Sequence, residues 1–577
     1  MADILVQKDA NNLIPKLGIT SEQRTIWAQT FTIYDINADG SKSAPIGPGT
    51  LPPWEESSPA PTYQDPDTGK FFANGAELTA LNSLVSGGGS RIVLGILGDS
   101  LMNRTHTTSA LTGEPTYSAS TGVASFAQTS HGHFTGMLCR ITSTAGDCYD
   151  NLTLTRVDAN TFSVNIGTGQ SLGSGETWYI SLLSAYHAEG PVTHLRPARP
   201  VIRGYCASGA TAAEIRARLL PLALAGDASV IWLRAGTNDA TGGAAAVAGV
   251  LADVTYMAQQ IVASGKKLII STLPPYGSTA SGGAFTANMR AGIIELVRSM
   301  PGVYLIDEHQ IGADPASATG SKRTGYEVSD NTHFTPLYAK LIGAKLQAIL
   351  DTINPSVSPC PTSALDAYDA TNNATSTQPF PTPTLITTSG GTNGSGATIT
   401  ATAIAANLTC YASGGFGAGS VTATVGTGAW GNGVGNYQQL VASPTADNDL
   451  LRITTRAAES TVAGLVTAGQ RRKGVAHVRV TGLTGQAVLQ SLLMYVVFTT
   501  AEGTFSTRVV DHNWGGASNT AAQITQADID MDLESGDFIV PAGVTSLYID
   551  LQLKFDAAGT AVTFQAGQFA LPLVPSV

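Results

Sequence analysis

Several short apolar runs in this chain stop abruptly at small polar residues, and that pattern narrows its possible folds more than any other feature. Ile92 to Leu97 ends at Gly98-Asp99-Ser100, and Val230 to Leu233 leads into Gly236-Thr237-Asn238-Asp239. Lys267 to Thr272 ends at Pro274-Pro275, and Val303 to Ile306 ends at Asp307. Runs this short, bounded by turn residues, read as strands buried on both faces. Between them lie helical patterns over Thr211 to Leu220, Ala244 to Ala263, Phe285 to Ser299 and Thr335 to Leu350. Thr211 is a candidate N-cap with Glu214 three residues on, and Pro221 should end or bend that helix. Strands alternating with helices predict a parallel, doubly wound sheet. Such sheets bind ligands just past the carboxyl ends of their strands, which is where Ser100 and Asn238 fall.

The residues at those ends carry chemistry. A serine hydroxyl is a poor nucleophile until a base stands within hydrogen-bond reach. Asp330-Asn331-Thr332-His333, just before the last helical pattern, supplies an imidazole that can take and return a proton near neutral pH. The nearby carboxylate would hold the imidazole in one tautomer. Asn238 offers a side-chain amide to a developing oxyanion. At this point the chain resembles the SGNH (GDSL-type) serine hydrolases. The resemblance runs through Gly98-Asp99-Ser100-Leu101, Gly209 before Ala210-Thr211, Gly236-Thr237-Asn238-Asp239 and Asp330-Asn331-Thr332-His333, in the family's order. It covers about residues 90 to 352.

The resemblance implies a flavodoxin-like three-layer αβα core. It also implies Ser100 as nucleophile, His333 as base and Asp330 as the group orienting it. The oxyanion hole would use the N–H groups of Ser100 and Gly209 and the amide of Asn238. Gly204 is a nearby rival to Gly209, and Asp307 a rival acid. Asp99 and Asp239 read as loop carboxylates that fix the rim. The stretch from Ser100 to Gly209 is much longer than the family's usual spacing. Its excess, about 105–199, shows period-2 patches at Leu152 to Val157, Thr161 to Val164 and Thr177 to Ile180, so an inserted β subdomain is expected.

Composition bears on partners. The net charge is −11 and charged residues make up only 13%, which argues against nucleic acid. The short cluster Arg471-Arg472-Lys473 reads as a solvated turn. No apolar run approaches the roughly 20 residues of a membrane span. The N-terminus shows no secretory signal pattern. The five cysteines are too few for a disulfide scaffold; Cys139 and Cys148 either pair across a hairpin or stay free. With no CxxC or HExxH spacing, neither a metal nor a cofactor is expected.

Outside the core, residues 1–88 read as an attachment arm. Ile26 to Tyr34 is strand-like, Ile46 to Pro66 extended or coil, and Ala76 to Val85 a short helix. The arm's beginning is similar to N-terminal parts of phage tail proteins. The hydrolase-type domain spans 89–352, and a Pro/Ser/Thr-rich linker spans 353–382. From 383 to 577 alternating runs such as Val475 to Val480 and Leu547 to Leu553 predict an all-β sandwich, jelly-roll-like. Tyr149, Trp178, Tyr186 and His187, with Trp430 and Trp514, are candidates to stack on sugars. The expected function is a serine esterase removing O-acetyl groups from a polysaccharide. Its expected setting is extracellular, as part of a phage tail (then a trimer) or secreted. The alternatives are a glycan-binding adhesin with a vestigial hydrolase core, and a lipase or polyester hydrolase.

Overall fold

The computed structural model describes residues 92–103, 106–144, 146–186, 189–195, 199–276, 280–317, 321–326, 332–354, 360, 389–401, 403–427, 435–484, 488–513 and 528–574, together with six short strands before residue 78. The chain divides into two compact units, Met1–Ser90 and Arg91–Val577.

In the first unit, strand Thr32–Ile36 pairs with Asp3–Gln7 in parallel and with Lys42–Ile46 antiparallel. Strands Thr62–Gln64, Phe71–Ala73 and Ala76–Glu77 form a second small antiparallel sheet. The stretch read as extended or coil contains strand Thr62–Gln64. One expectation is corrected here. Ala76, expected to open a helix, instead pairs with Ala73. The sequence between them, Asn74-Gly75, is a strong hairpin signal, and it outweighed the helical pattern downstream. Residues 78–85 lie outside the described residues.

The second unit is built on a five-stranded parallel sheet. Its strands are β1 (Val93–Gly98), β2 (Val201–Cys206), β3 (Val230–Arg234), β4 (Lys267–Ser271) and β5 (Tyr304–Ile306), in the order β2-β1-β3-β4-β5. That is the flavodoxin-like order. Every residue of β1, β2 and β3 is buried, as the continuous apolar runs of β1 and β3 require. One face packs against the segment from Ala212 to Ala225 and against helices α1 (Gly243–Ala263) and α2 (Ala280–Ser299). Leu97, Ile231 and Ile270 meet Ile215, Val254 and Phe285 there. The other face carries Ile96, Trp232, Ile269 and Ile306 beneath helix α4 (Pro336–Ile353), which turns Tyr338, Ile342 and Leu346 inward. A short helix α3 (Glu308–Gly312) follows β5.

The expected capping box is present. Thr211 accepts the Glu214 N–H, and the Glu214 carboxylate accepts the Thr211 N–H at 2.8 Å. Pro221 does not end that helix; a π turn over Ile215–Leu219 precedes it and the helix runs on to Ala225. One stretch, Thr237–Ala263, is long and apolar enough by composition to cross a membrane, at a mean hydropathy of 1.3, contrary to the reading of the apolar runs. Alanine and glycine raise its average, and Val250, Val254, Met257 and Ile261 are spent on the sheet.

The insertion is antiparallel β, with strands from His106–Ala110 to Trp178–Tyr186. It does not stop at its own edge: Trp178–Tyr186 meets strand Gly503–Asn513 with Tyr186 opposite Val509, so insertion and C-terminal strands share a 13-stranded sheet. A six-stranded sheet through Val475–Thr481 and Val562–Ala570 lies within the same continuous apolar cluster. None of the five cysteines is in a disulfide, so Cys139 and Cys148 form no bridge. Trp178 is fully buried against Phe126 and has no face to offer a sugar, because its strand packs on both sides. His187, Trp430, Trp514 and nearly all of the expected linker fall outside the described residues.

Candidate active site

Three neighbouring strands end level with one another: Gly98 of β1 lies opposite Cys206 of β2 and Arg234 of β3. Their following loops therefore converge on one edge, at the β1/β3 switch point of this topology. Gly98 has to be glycine, because a Cβ there would press on the Arg234 carbonyl and lie 2.8 Å from Met102 Cγ. The chain then turns sharply into one helical turn, Ser100–Asn103. Asp99 holds that turn: its Oδ1 accepts the Leu101 N–H at 3.0 Å, and its carbonyl accepts the Met102 N–H at 3.2 Å. Asp99 is fully buried, and among the described residues its Oδ2 has no hydrogen-bond partner.

The loop after β2 starts with the Ala207 N–H on the Gly98 carbonyl at 3.2 Å, and Gly209 follows at φ +83°, exposed. That left-handed conformation suits glycine. Gly204, the rival, lies mid-strand, and a Cβ on it would collide with the Arg140 guanidinium; it is a packing glycine. After β3, Gly236 (φ +116°) turns the chain into a 3₁₀ segment, Thr237–Gly242. Asn238 Nδ2 donates to the Ala210 carbonyl at 2.9 Å, and the Ala212 N–H donates to Asp239 Oδ2 at 2.9 Å. Both side chains staple the β3 loop to the β2 loop. A primary amide has two N–H groups, so one Asn238 donor is committed and one remains. Burial pushes the Asp239 carboxyl above the usual range, opposed by the Ala212 hydrogen bond.

His333 comes to this edge from the far end of the sequence. Its Nε2 lies 3.1 Å from Ser100 Oγ, hydrogen-bond distance between a base and a nucleophile. Thr335 caps α4 by accepting the Tyr338 N–H, and its hydroxyl donates to the Gly325 carbonyl at 2.9 Å. Asp330 lies outside the described residues. Asp307 is spent elsewhere. It pairs with Arg290 at 2.7 Å and caps α3 through the Gln310 N–H; burial raises its carboxyl, but Arg290 and the cap hold it below the usual range overall. No group of three or more His, Cys, Asp or Glu among the described residues could hold a metal.

Sequence reasoning passed over a buried ion pair directly behind this edge. Arg234 Nη1 and Glu308 Oε2 are 2.9 Å apart and both side chains are wholly inaccessible. A charged residue closing the apolar run Val230–Leu233 was the available signal.

No protein family and no curated protein matches this chain. Among solved structures, a GDSL-like lipase from Bacteroides thetaiotaomicron aligns at 16% identity and a TM-score of 0.22, over 26% of this chain and 76% of that one. A carbohydrate esterase of family 3 from Talaromyces cellulolyticus aligns at 18% identity and 0.22, over 27% and 72%. TesA aligns at 20% and 0.21, over 26% and 78%. Scores this low leave the functional reading to the geometry of the site itself.

Proposed function

We propose that this chain is a serine ester hydrolase of the SGNH type. The observation that carries the reading is the 3.1 Å approach of His333 Nε2 to Ser100 Oγ at the carboxyl edge of a parallel sheet. In this mechanism Ser100 Oγ attacks the ester carbonyl and its proton passes to His333 Nε2. The tetrahedral oxygen is held by the N–H groups of Ser100 and Gly209 and the remaining N–H of Asn238. His333 gives the proton to the departing alcohol, leaving an acyl-enzyme. Water then attacks, His333 takes its proton, and the acid is released with Ser100 restored. Asp330, three residues before His333, would orient the imidazole.

The proposed substrate is an O-acetylated polysaccharide. In support, the insertion leaves the core right after the Ser100 turn, so its first strand, His106–Ala110, starts a few residues past the nucleophile. Segments inserted at such a rim commonly shape access to it. The proposal includes an extracellular setting and a C-terminal sandwich that engages the same glycan.

The test is hydrolysis of 4-nitrophenyl acetate and longer acyl esters by the wild type and Ser100→Ala. Acetyl release that falls by about four orders of magnitude in the variant, with an unchanged melting temperature, is expected. Equal rates in the two proteins would sink the serine mechanism. Rates rising with acyl length would replace the deacetylase by a lipase, and glycan binding without any turnover would favour an adhesin.

A further inference from the structure

The His333 backbone must be held to a fraction of an ångström for its Nε2 to serve Ser100, and the contacts that could hold it come from behind. Phe334, the next residue, is 2% exposed. One face of its ring meets the Arg234 guanidinium, whose carbon lies 4.9 Å from the ring centroid. The Tyr338 ring meets it edge-on at 4.8 Å. Both of these neighbours are tied to Glu308. Arg234 Nη1 donates to Glu308 Oε2, and the Tyr338 hydroxyl donates to the Glu308 carbonyl at 2.6 Å. Arg234 Nε and Nη2 have no hydrogen-bond partner among the described residues, and besides Phe334 the guanidinium faces the Trp232 ring at 5.9 Å. The Trp232 ring is in turn held by its N–H on Ser271 Oγ at 2.8 Å.

Arg234 also stands behind the turn that presents the other half of the dyad. Its backbone lies opposite Gly98 in register, and its carbonyl fills the space where a Gly98 side chain would be. One residue thus backs the turn that presents Ser100 and the ring beside His333. Stability alone gives little reason for a charge here, since a buried ion pair often contributes no more than apolar residues of the same volume. Its planar, fixed geometry is what an apolar replacement would lack.

We propose that Arg234 and Glu308 are positioning residues for the general base: the buried pair fixes the Phe334 ring, and through it the reach of His333 to Ser100. This rests on the serine hydrolase reading above. Neither residue is assigned contact with substrate.

The experiment compares wild type, Arg234→Met/Glu308→Leu, Arg234→Lys and Phe334→Leu. Three quantities are read: melting temperature, kcat and KM on 4-nitrophenyl acetate, and the rate of labelling by an alkyl fluorophosphonate. In labelling, a Ser100 Oγ–P bond forms, the P–F bond breaks and the serine proton passes to His333. The double variant leaves no unpaired buried charge. It should melt near the wild-type temperature while kcat and labelling fall together by about ten- to a hundredfold with KM unchanged. Arg234→Lys keeps the charge without the planar face and should fall between. A double variant that is stable and labels at the wild-type rate overturns the proposal and leaves the esterase reading intact. Should the double variant not fold, Phe334→Leu decides: the same joint loss supports the proposal, and wild-type rates overturn it. A wild type that neither turns over nor labels at Ser100 removes the esterase reading and the proposal with it.

Discussion

Arg234 and Arg199 are both almost wholly buried, and their surroundings differ in kind. Arg234 closes a core strand, meets Glu308 and two aromatic rings, and leaves two of its nitrogens without a hydrogen bond among the described residues. Arg199 also lies over a ring, Tyr186 at 4.7 Å, but each of its guanidinium nitrogens reaches a backbone carbonyl. Its guanidinium donates to the Thr193 carbonyl at 2.9 and 3.3 Å and to the Glu534 carbonyl, and its own N–H donates to Glu534 Oε2 at 2.9 Å. Lys473 Nζ completes that carboxylate at 2.5 Å on Oε1. The Arg199 cluster fastens the entry to β2 to C-terminal strands far away in sequence. The Arg234 pair sits within the core, beside the dyad. Buried charge in the first place holds chain segments together; in the second it stands where only the aim of a side chain is at stake.

The largest stability effect should come from the first cluster. Glu534→Ala removes the carboxylate that Lys473 and the Arg199 N–H both meet, and breaking one side of a buried pair costs about 3–5 kcal/mol. Thermal or urea unfolding should show a loss of that size, while the protein still folded keeps the wild-type kcat. A loss of kcat without a loss of stability would erase the contrast between the two arginines.

Asn238→Ala sharpens the same contrast at the rim. If the free amide N–H serves the oxyanion, turnover should fall by about two orders of magnitude, on the order of 3 kcal/mol of barrier, with KM little changed. A drop in melting temperature with kcat intact would reduce Asn238 to the staple it makes on Ala210.

A further effect is in acid, and it belongs to the insertion rather than the core. Burial, helped by Arg140 and Arg199, holds His106 well below its ordinary 6.5. Burial, helped by His131, brings His133 down to about 4. Both are neutral in the folded protein at pH 7. Below about 6.5 the unfolded chain takes up protons that the folded chain refuses, so stability falls as pH drops from 6.5 towards 4. The slope should reach at most about 1.4 kcal/mol per pH unit for each histidine. Melting temperatures between pH 7 and 4 check this, and His133→Gln should flatten the fall; an identical slope would clear His133 of the effect.

Much of the core was legible in the residues. Runs buried on both faces showed as continuous apolar stretches, and β1, β3, β4 and β5 appeared within a residue or two of where those runs lie. The Thr211–Glu214 capping box was legible because its partners are three residues apart. The left-handed turns at Gly209 and Gly236 went with glycine. The Trp178 reading failed because an aromatic in an alternating strand is ambiguous until both faces of the sheet are known. Ala76 failed because a two-residue hairpin signal competed with a helical pattern and won. The joining of the insertion to the C-terminal strands at Tyr186 and Val509 left no trace in either segment.

What the sequence by itself determined is therefore local: where strands stop, where a helix is capped, and which residue types can do acid, base or nucleophilic work. Those depend on interactions between near neighbours, and the period of a strand or helix records them. Only the tertiary structure decided that Ser100 and His333, 233 residues apart, meet at 3.1 Å, and that Arg234 finds Glu308 rather than water. Pairings of that separation are set by the burial of whole faces. No short stretch of chain contains that information.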